Sequence, residues 1–412
     1  MQNNTNALPV YLRALETVGS GLRQLGFPLA RFSEKSLLRA AKRQTGLTDF
    51  GDPDFMDGFR VLLDSLENDA GLHFIGRLTL GRMVINHLSN RLMLVEWRKR
   101  HPEVFAQPLR PPIMIMGLPR SGTTFLHRLI ALDPANRPIP AWELTHPFPT
   151  ESADKRRART IRELGIIKRL APDLDKKHLL DADEPEECIA LLGLTFQSIV
   201  FWVFAPVFDY VEWYANQEGH HRAYREYRDM LQILQAATPE KRLTLKAPTH
   251  AFSLDAILDL IPDAALVQTH RDPVQVVGSL GSLFASFFRI TTRDLDIKKV
   301  AHTNLELLGR GMARNANIRR ENPGRVLDVA YPDLVADPIG TVKRIYTHYK
   351  LPFTPEFATN LQAYIDANPQ GKHGKHRYSL TEFGLDETIV RKHFAEYLNA
   401  SDAYQLPQHT SL

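Results

Sequence analysis

The chain has 412 residues, 43% hydrophobic and 24% charged, the profile of a globular protein with a full core and enough length for one large domain or two ordinary ones. Its formal charge of +4 suits an anionic small molecule and is too weak to argue for nucleic acid. The single cysteine, Cys188, excludes an internal disulfide and fits a reducing compartment, so a cytoplasmic location is expected.

In chain order, the first residues show no basic segment followed by an apolar stretch, so no secretory signal is expected. Residues 1–108 read as a helical N-terminal region packing on the rest. "SEKSLLRAAKRQTG" opens with a capping-box pattern at Ser33 and stops at Gly46, and two further stretches up to His101 carry apolar residues at helical spacing. Pro108, Pro111 and Pro112 mark a boundary. From 109 to 412 short apolar strands alternate with helices: 113–116, 243–246, 265–269 and 325–330. That alternation predicts an α/β domain, a doubly wound parallel sheet of P-loop nucleotide-binding type flanked by helices. Ligands sit at the carboxyl ends of such strands. Between them, 188–208 runs 21 residues without a charge. Its Thr195, Gln197, Ser198 and Pro206, and its place between two motifs that must share a ligand, argue for a buried helix rather than a membrane span.

The motif at 117–124, "GLPRSGTT", has the glycine spacing of a P-loop without its lysine; Thr123 stands there instead. Gly117 and Gly122 let the backbone approach a phosphate, and the N–H groups of Ser121, Gly122, Thr123 and Thr124 lie at the start of the next helix, with the threonine hydroxyls as further donors. Arg120 offers a planar fork to a tetrahedral oxyanion. A triphosphate is poorly served without the bridging lysine, which counts against a P-loop kinase or NTPase, the alternative reading.

"GLPRSGTTFLHRLI" looks like the 5′-phosphosulfate loop of the sulfotransferases that use 3′-phosphoadenosine 5′-phosphosulfate (PAPS), in the branch with arginine at this position, as in bacterial members. The resemblance implies a 3′-phosphate site at a later strand end. "ALVQTHRDPVQVVGSL" is similar to it, with Arg271 after the strand, Asp272 able to cap, Pro273 opening the helix, and Ser279 eight residues after Arg271. "RVLDVAYPDL" resembles a third, structural element. A basic glycine-containing segment, "GKHGKHRYS", places Lys372, Lys375 and Arg377 where the family often closes on the 3′-phosphate.

By the same resemblance Lys246, ending "LTLK", is a transition-state lysine working with Arg120. For the base that deprotonates the acceptor hydroxyl there are two candidates: Glu143, like the acid that non-cytosolic branches place after the P-loop helix, and His250, four residues after the lysine. His146 is a weaker third. The acid run "DADEPEEC" reads as a helix start, and the pair His220–His221 lacks partners at metal spacing, so no metal is expected. The aromatics of 201–214 read mostly as core; where they line a pocket, they imply an apolar alcohol or phenol as acceptor. The expectation is thus a sulfotransferase moving a sulfuryl group from PAPS to a small, lipophilic hydroxyl acceptor by in-line displacement, without nucleic acid, metal or membrane span. Acceptor identity and oligomeric state stay open.

Overall fold

Residues 113–117 carry no polar side chain, so a strand formed from them is stable only with both faces covered, and all five are buried. In the computed structural model, which describes residues 10–148, 155–170, 181–217, 219–368 and 380–401, this strand is the centre of a parallel sheet. The order is β2 (Asn136–Pro138), β3 (Arg242–Lys246), β1 (Ile113–Gly117), β4 (Ala265–His270) and β5 (Val326–Ala330). Ile113 pairs with Thr244 on one side and Ala265 on the other, and Leu266 pairs with Val326.

The period of two in β1 divides the interior. Ile113 and Ile115 join Val267, Val329, Leu126 and Tyr346 in a core beneath one face. Met114 and Met116 join Leu243, Leu245 and Leu266 in a larger core on the other, which continues into the N-terminal helices. All four expected strands form, within a residue or two at each end. The three-residue β2 was not expected, because "NRP" has neither apolar run nor alternation and is held by pairing with Arg242–Thr244 and by the Asn136 amide, which donates to the Ile130 carbonyl and the Tyr346 hydroxyl.

The N-terminal region consists of α1 (Val10–Gln24), α2 (Glu34–Thr45), α3 (Phe55–Asn68), α4 (Phe74–Arg100) and α5 (Pro102–Ala106). Ser33 does precede α2, and Gly46 ends it with φ 73°, but the Ser33 hydroxyl makes no capping bond, so the capping-box expectation fails at its first residue. After β1 come α6 (Thr123–Ala131), α7 (Ala141–Thr145) and α8 (Arg156–Leu170).

The uncharged stretch 188–208 is buried as expected, yet it is not one helix. A 3-10 turn series, Cys188–Thr195, gives way to a short α-helix, Val200–Phe204, with Phe196 at φ 53° between them. Tyr210 mends the break: its hydroxyl shares one proton between the carbonyls of Phe196 and Ser198, at 3.0 and 2.9 Å, and accepts from the Ser198 N–H. No helix among the described residues is long and apolar enough to cross a membrane.

Candidate active site

The site forms where β1, β3 and β4 end. Gly117 leaves β1 at φ 137°, and a Cβ there would lie 2.3 Å from the Thr269 carbonyl oxygen. Gly122, at φ 92°, has room for no side chain against Tyr331, 2.9 Å away. The first bond inside α6 runs from the Leu126 N–H to the Gly122 carbonyl at 3.0 Å. The N–H groups of Thr123 and Thr124 therefore precede the intrahelical ladder and carry the positive end of the helix. Ser121 turns inward instead: it is fully buried, its hydroxyl donates to the Leu118 carbonyl at 2.5 Å and shares a 2.6 Å bond with Thr269. Its side chain braces the loop, leaving Thr123 and Thr124 as the hydroxyls nearest the helix start.

Arg120 sits at φ 63°, a left-handed conformation that a bulky residue adopts only where its surroundings require it. Those surroundings are the second motif. The Arg271 guanidinium donates to the Arg120 carbonyl at 2.9 Å, and Arg120 Nε donates to the Ser279 hydroxyl at 3.1 Å. Arg271 lies over the Tyr331 ring, 4.3 Å from its centroid, and also bonds Gln275. Asp272 caps the following helix through the Val274 N–H at 3.0 Å, with Pro273 in the first turn. Burial and the like charge of Arg120 lower Arg271 below the usual arginine value. Two guanidiniums thus meet at one helix start, a mutual repulsion that an anion between them relieves.

Lys246, at the end of β3, has no exposed surface. Burial alone would depress its ammonium, but Glu187 and Glu186 outweigh that and hold it above its ordinary value. Its Nζ lies 2.9 Å from Glu187 Oε1 and 3.7 Å from Glu186 Oε1. A strap delivers these acids: Ala141 and Trp142 donate to the carbonyls of Glu184 and Ala182, and Glu186 donates to Ile139. The run 181–188 thus pairs with Ile139–Trp142 and leads into the 3-10 series at Cys188, so its acids do stand before a helical start, while Glu186 and Glu187 turn to Lys246.

Glu143 lies on α7, nearly buried, with both carboxylate oxygens taken by Arg137 at 2.8 and 2.9 Å. His250 is sealed behind Lys246. Its Nδ1 faces the Tyr224 hydroxyl at 2.7 Å and its Nε2 faces Cys188 Sγ and the Tyr227 hydroxyl at 3.1 and 3.3 Å. Burial pushes it down to about 3, and pushes the Cys188 thiol up to about 12. His146 pairs with Glu163 of α8, and His220 with Ser253. No group of three His, Cys, Asp or Glu among the described residues could hold a metal ion. Lys372, Lys375 and Arg377 lie outside the described residues.

A glycine turn and helix start thus stand beside two guanidiniums and a charged strand-end lysine, with no P-loop lysine, and the profile of the Sulfotransferase family matches residues 111–355, more than half of the chain. The chain belongs to the sulfotransferase family. Two relatives, each named omega-hydroxy-beta-dihydromenaquinone-9 sulfotransferase Stf3, from Mycobacterium bovis and Mycobacterium tuberculosis, are 27% identical over 360 residues, covering 82% of this chain and 85% of theirs. Sulfotransferase STF9 from Mycobacterium avium superposes with a TM-score of 0.81 at 25% identity, covering 91% of this sulfotransferase and 97% of that chain. STF1 from M. tuberculosis gives 0.72 at 29%, covering 88% and 98%. Family membership sets aside the kinase alternative.

Three residues of this sulfotransferase's site were missed in the sequence. Glu187 and Glu186 could have been found by asking which acids neutralise a strand-end lysine; the acid run was instead assigned to a helix dipole. Tyr331, read only as part of a structural turn, is the platform under Arg271, and nothing local announces that.

Proposed function

We propose that this sulfotransferase takes PAPS as donor and passes its sulfuryl group to the hydroxyl of a lipophilic acceptor. The observation that carries this reading is the convergence of Arg120, Arg271 and Ser279 beside the start of α6, where Gly117 and Gly122 let the loop turn tightly against Thr269 and Tyr331 and so set its N–H groups at the helix start. Two phosphate-type groups on one nucleotide fit that donor set: the N–H groups of Gly122, Thr123 and Thr124 with the threonine hydroxyls and Arg120 on the 5′-phosphosulfate, the Ser121 N–H being taken by the Leu118 carbonyl, and Arg271 with Ser279 on the 3′-phosphate, joined by Lys372, Lys375 and Arg377 as the resemblance implies.

Lys246 then serves the bridging oxygen. As the acceptor oxygen bonds to sulfur, the sulfur–oxygen bond to the phosphate breaks, and negative charge gathers on that oxygen, where a buried ammonium counts for most. Of the two candidate bases, His250 has both ring nitrogens engaged, whereas each Glu143 oxygen keeps a lone pair beyond its bond to Arg137, so the acceptor proton goes to Glu143. Support for a lipophilic acceptor comes from the menaquinone derivative in the names of the two mycobacterial relatives and from the half-buried Phe204 and Phe208.

Calorimetry with 3′-phosphoadenosine 5′-phosphate against ATP with magnesium tests the donor. Micromolar binding of the bisphosphate, markedly weakened in Arg271→Ala, is expected; a preference for ATP that ignores Arg271 would overturn the reading. A Lys246→Ala variant that binds the bisphosphate but transfers nothing separates an enzyme from a nucleotide sensor.

A further inference from the structure

The seven large apolar side chains that the described residues leave exposed belong to three neighbouring places. Leu15, Val18, Leu25 and Phe27 lie on α1 and the turn after it, Leu78 on the first turns of α4, and Ile161 and Ile166 on α8. Leu25 is 76% exposed and Val18 60%, values that an isolated soluble surface has no use for when they cluster. Helix α4 relates them. Leu78, Arg82 and Asn86 follow one another at intervals of four along one face of it. At the upper end α1 is seated, its Glu16 carboxylate accepting from the N–H groups of Phe74 and Ile75 and its Gly19 against the Phe74 ring. At the lower end Arg159 of α8 donates to Asn86 at 3.0 Å. Alongside the stripe runs an apolar groove of about 270 Å³, walled by Phe32, Leu37, Leu78 and Ile85, with Arg31 and Arg82 at its edges.

Charge follows the same distribution. Residues 10–48 hold seven basic and two acidic side chains and residues 155–170 hold seven and one, although the whole chain is only +4, so the remainder is net negative. The three acids are spent elsewhere: Glu16 is buried, Glu34 pairs with Arg60, and Glu163 pairs with His146 and Arg159. Arg157 is neutralised by Asp183, but Arg31, Arg82, Arg162 and Arg169 stand exposed among the apolar residues.

We propose that this face is a peripheral docking surface for an anionic phospholipid bilayer, with Leu25, Phe27, Ile161 and Ile166 entering the headgroup–acyl boundary and the surrounding arginines meeting lipid phosphates. Apolar residues interleaved with cations are what such an interface selects. Nucleic acid would take the cations without the aliphatic side chains. Helix α8 packs on α7, which holds Glu143, so docking brings the membrane beside the acceptor side. That use, delivery of a lipophilic acceptor, rests on the function proposed above; the lipid binding itself does not.

The test is co-sedimentation of the full chain with phosphatidylcholine vesicles, with and without about one quarter phosphatidylglycerol. Binding about tenfold tighter to the anionic vesicles, and weakened by about half-molar salt, is expected from charge and apolar area acting together. Leu25→Asp/Phe27→Asp and Ile161→Asp/Ile166→Asp should each weaken it about fivefold or more, with thermal melting and bisphosphate binding unchanged. Equal binding to neutral vesicles, no binding at low salt, or wild-type binding by both double variants would overturn the proposal. So would a dimer in solution that these variants dissociate while vesicle binding stays as it was. Loss of bisphosphate binding in the wild type would instead refute the donor reading and leave this one standing.

Discussion

Replacing Glu187 by glutamine removes the nearer of the two carboxylates that keep Lys246 charged in a dry place. At an effective dielectric of about 20, an ion pair at 2.9 Å attracts by about 6 kcal/mol and one at 3.7 Å by about 4 kcal/mol, before the several kcal/mol that burying an ammonium costs. Loss of all partners from a buried charge costs about 3–5 kcal/mol. Glu186 remains, and both carboxylates keep roughly a third of their surface in water, so about 2 kcal/mol is expected for Glu187→Gln. Urea unfolding at neutral pH measures it, since in a chain this long the same loss moves the melting temperature by only about 2 °C. The double variant Lys246→Met/Glu187→Gln removes both poles and should regain most of the loss. Because the folded-state value of Lys246 is raised, its contribution is complete below the unfolded value and is lost as pH climbs through the folded one. In Glu187→Gln that alkaline loss should begin at lower pH. A single variant as stable as wild type, or a double variant less stable than the single, would refute a charged lysine here and with it the role given to Lys246.

Arg271→Ala should weaken 3′-phosphoadenosine 5′-phosphate binding by about 2 kcal/mol, roughly thirtyfold, by calorimetry; a change under about threefold would remove Arg271 from the site. Glu143→Gln should lower kcat by about 10²–10⁴ with bisphosphate affinity unchanged, and activity kept in that variant would reopen the choice of base. The pH profile of transfer should show no histidine inflection near 6.5 from His250, which burial holds at about 3. Stability should also fall on acidification between about pH 6.5 and 4.5, because His87 and His220 (about 4) and His127 and His250 (about 3) stay neutral in the fold and take up protons on unfolding. Each approaches 1.4 kcal/mol per pH unit there, and a flat melting temperature across that window would contradict their burial. Gly117→Ala should destabilise by about 2 kcal/mol or more, read from denaturant midpoints, because its Cβ meets the Thr269 carbonyl.

Four of the five strands, and the glycine turn and helix start of the candidate anion site, were legible in the sequence, because both are written in local terms. "IMIM" declares a strand buried on both faces, two glycines and a helix start declare an anion site, and Asp272–Pro273 declares where the next helix begins; each needs only residues within a turn or two of one another. Which residues meet is settled by packing. That Arg120 is held to Ser279, 159 residues away, that Arg271 rests on Tyr331, and that Glu187 reaches Lys246 across 59 residues depend on the order in which β3, β1, β4 and β5 lie side by side. The same holds for His250, whose spacing from Lys246 is visible in the sequence but whose enclosure by Tyr224, Tyr227 and Cys188 is not. Backbone preferences act over a few residues, whereas a buried charge or an enclosed imidazole is settled by groups brought from distant segments, and that exchange of water for protein neighbours exists only once the chain has packed.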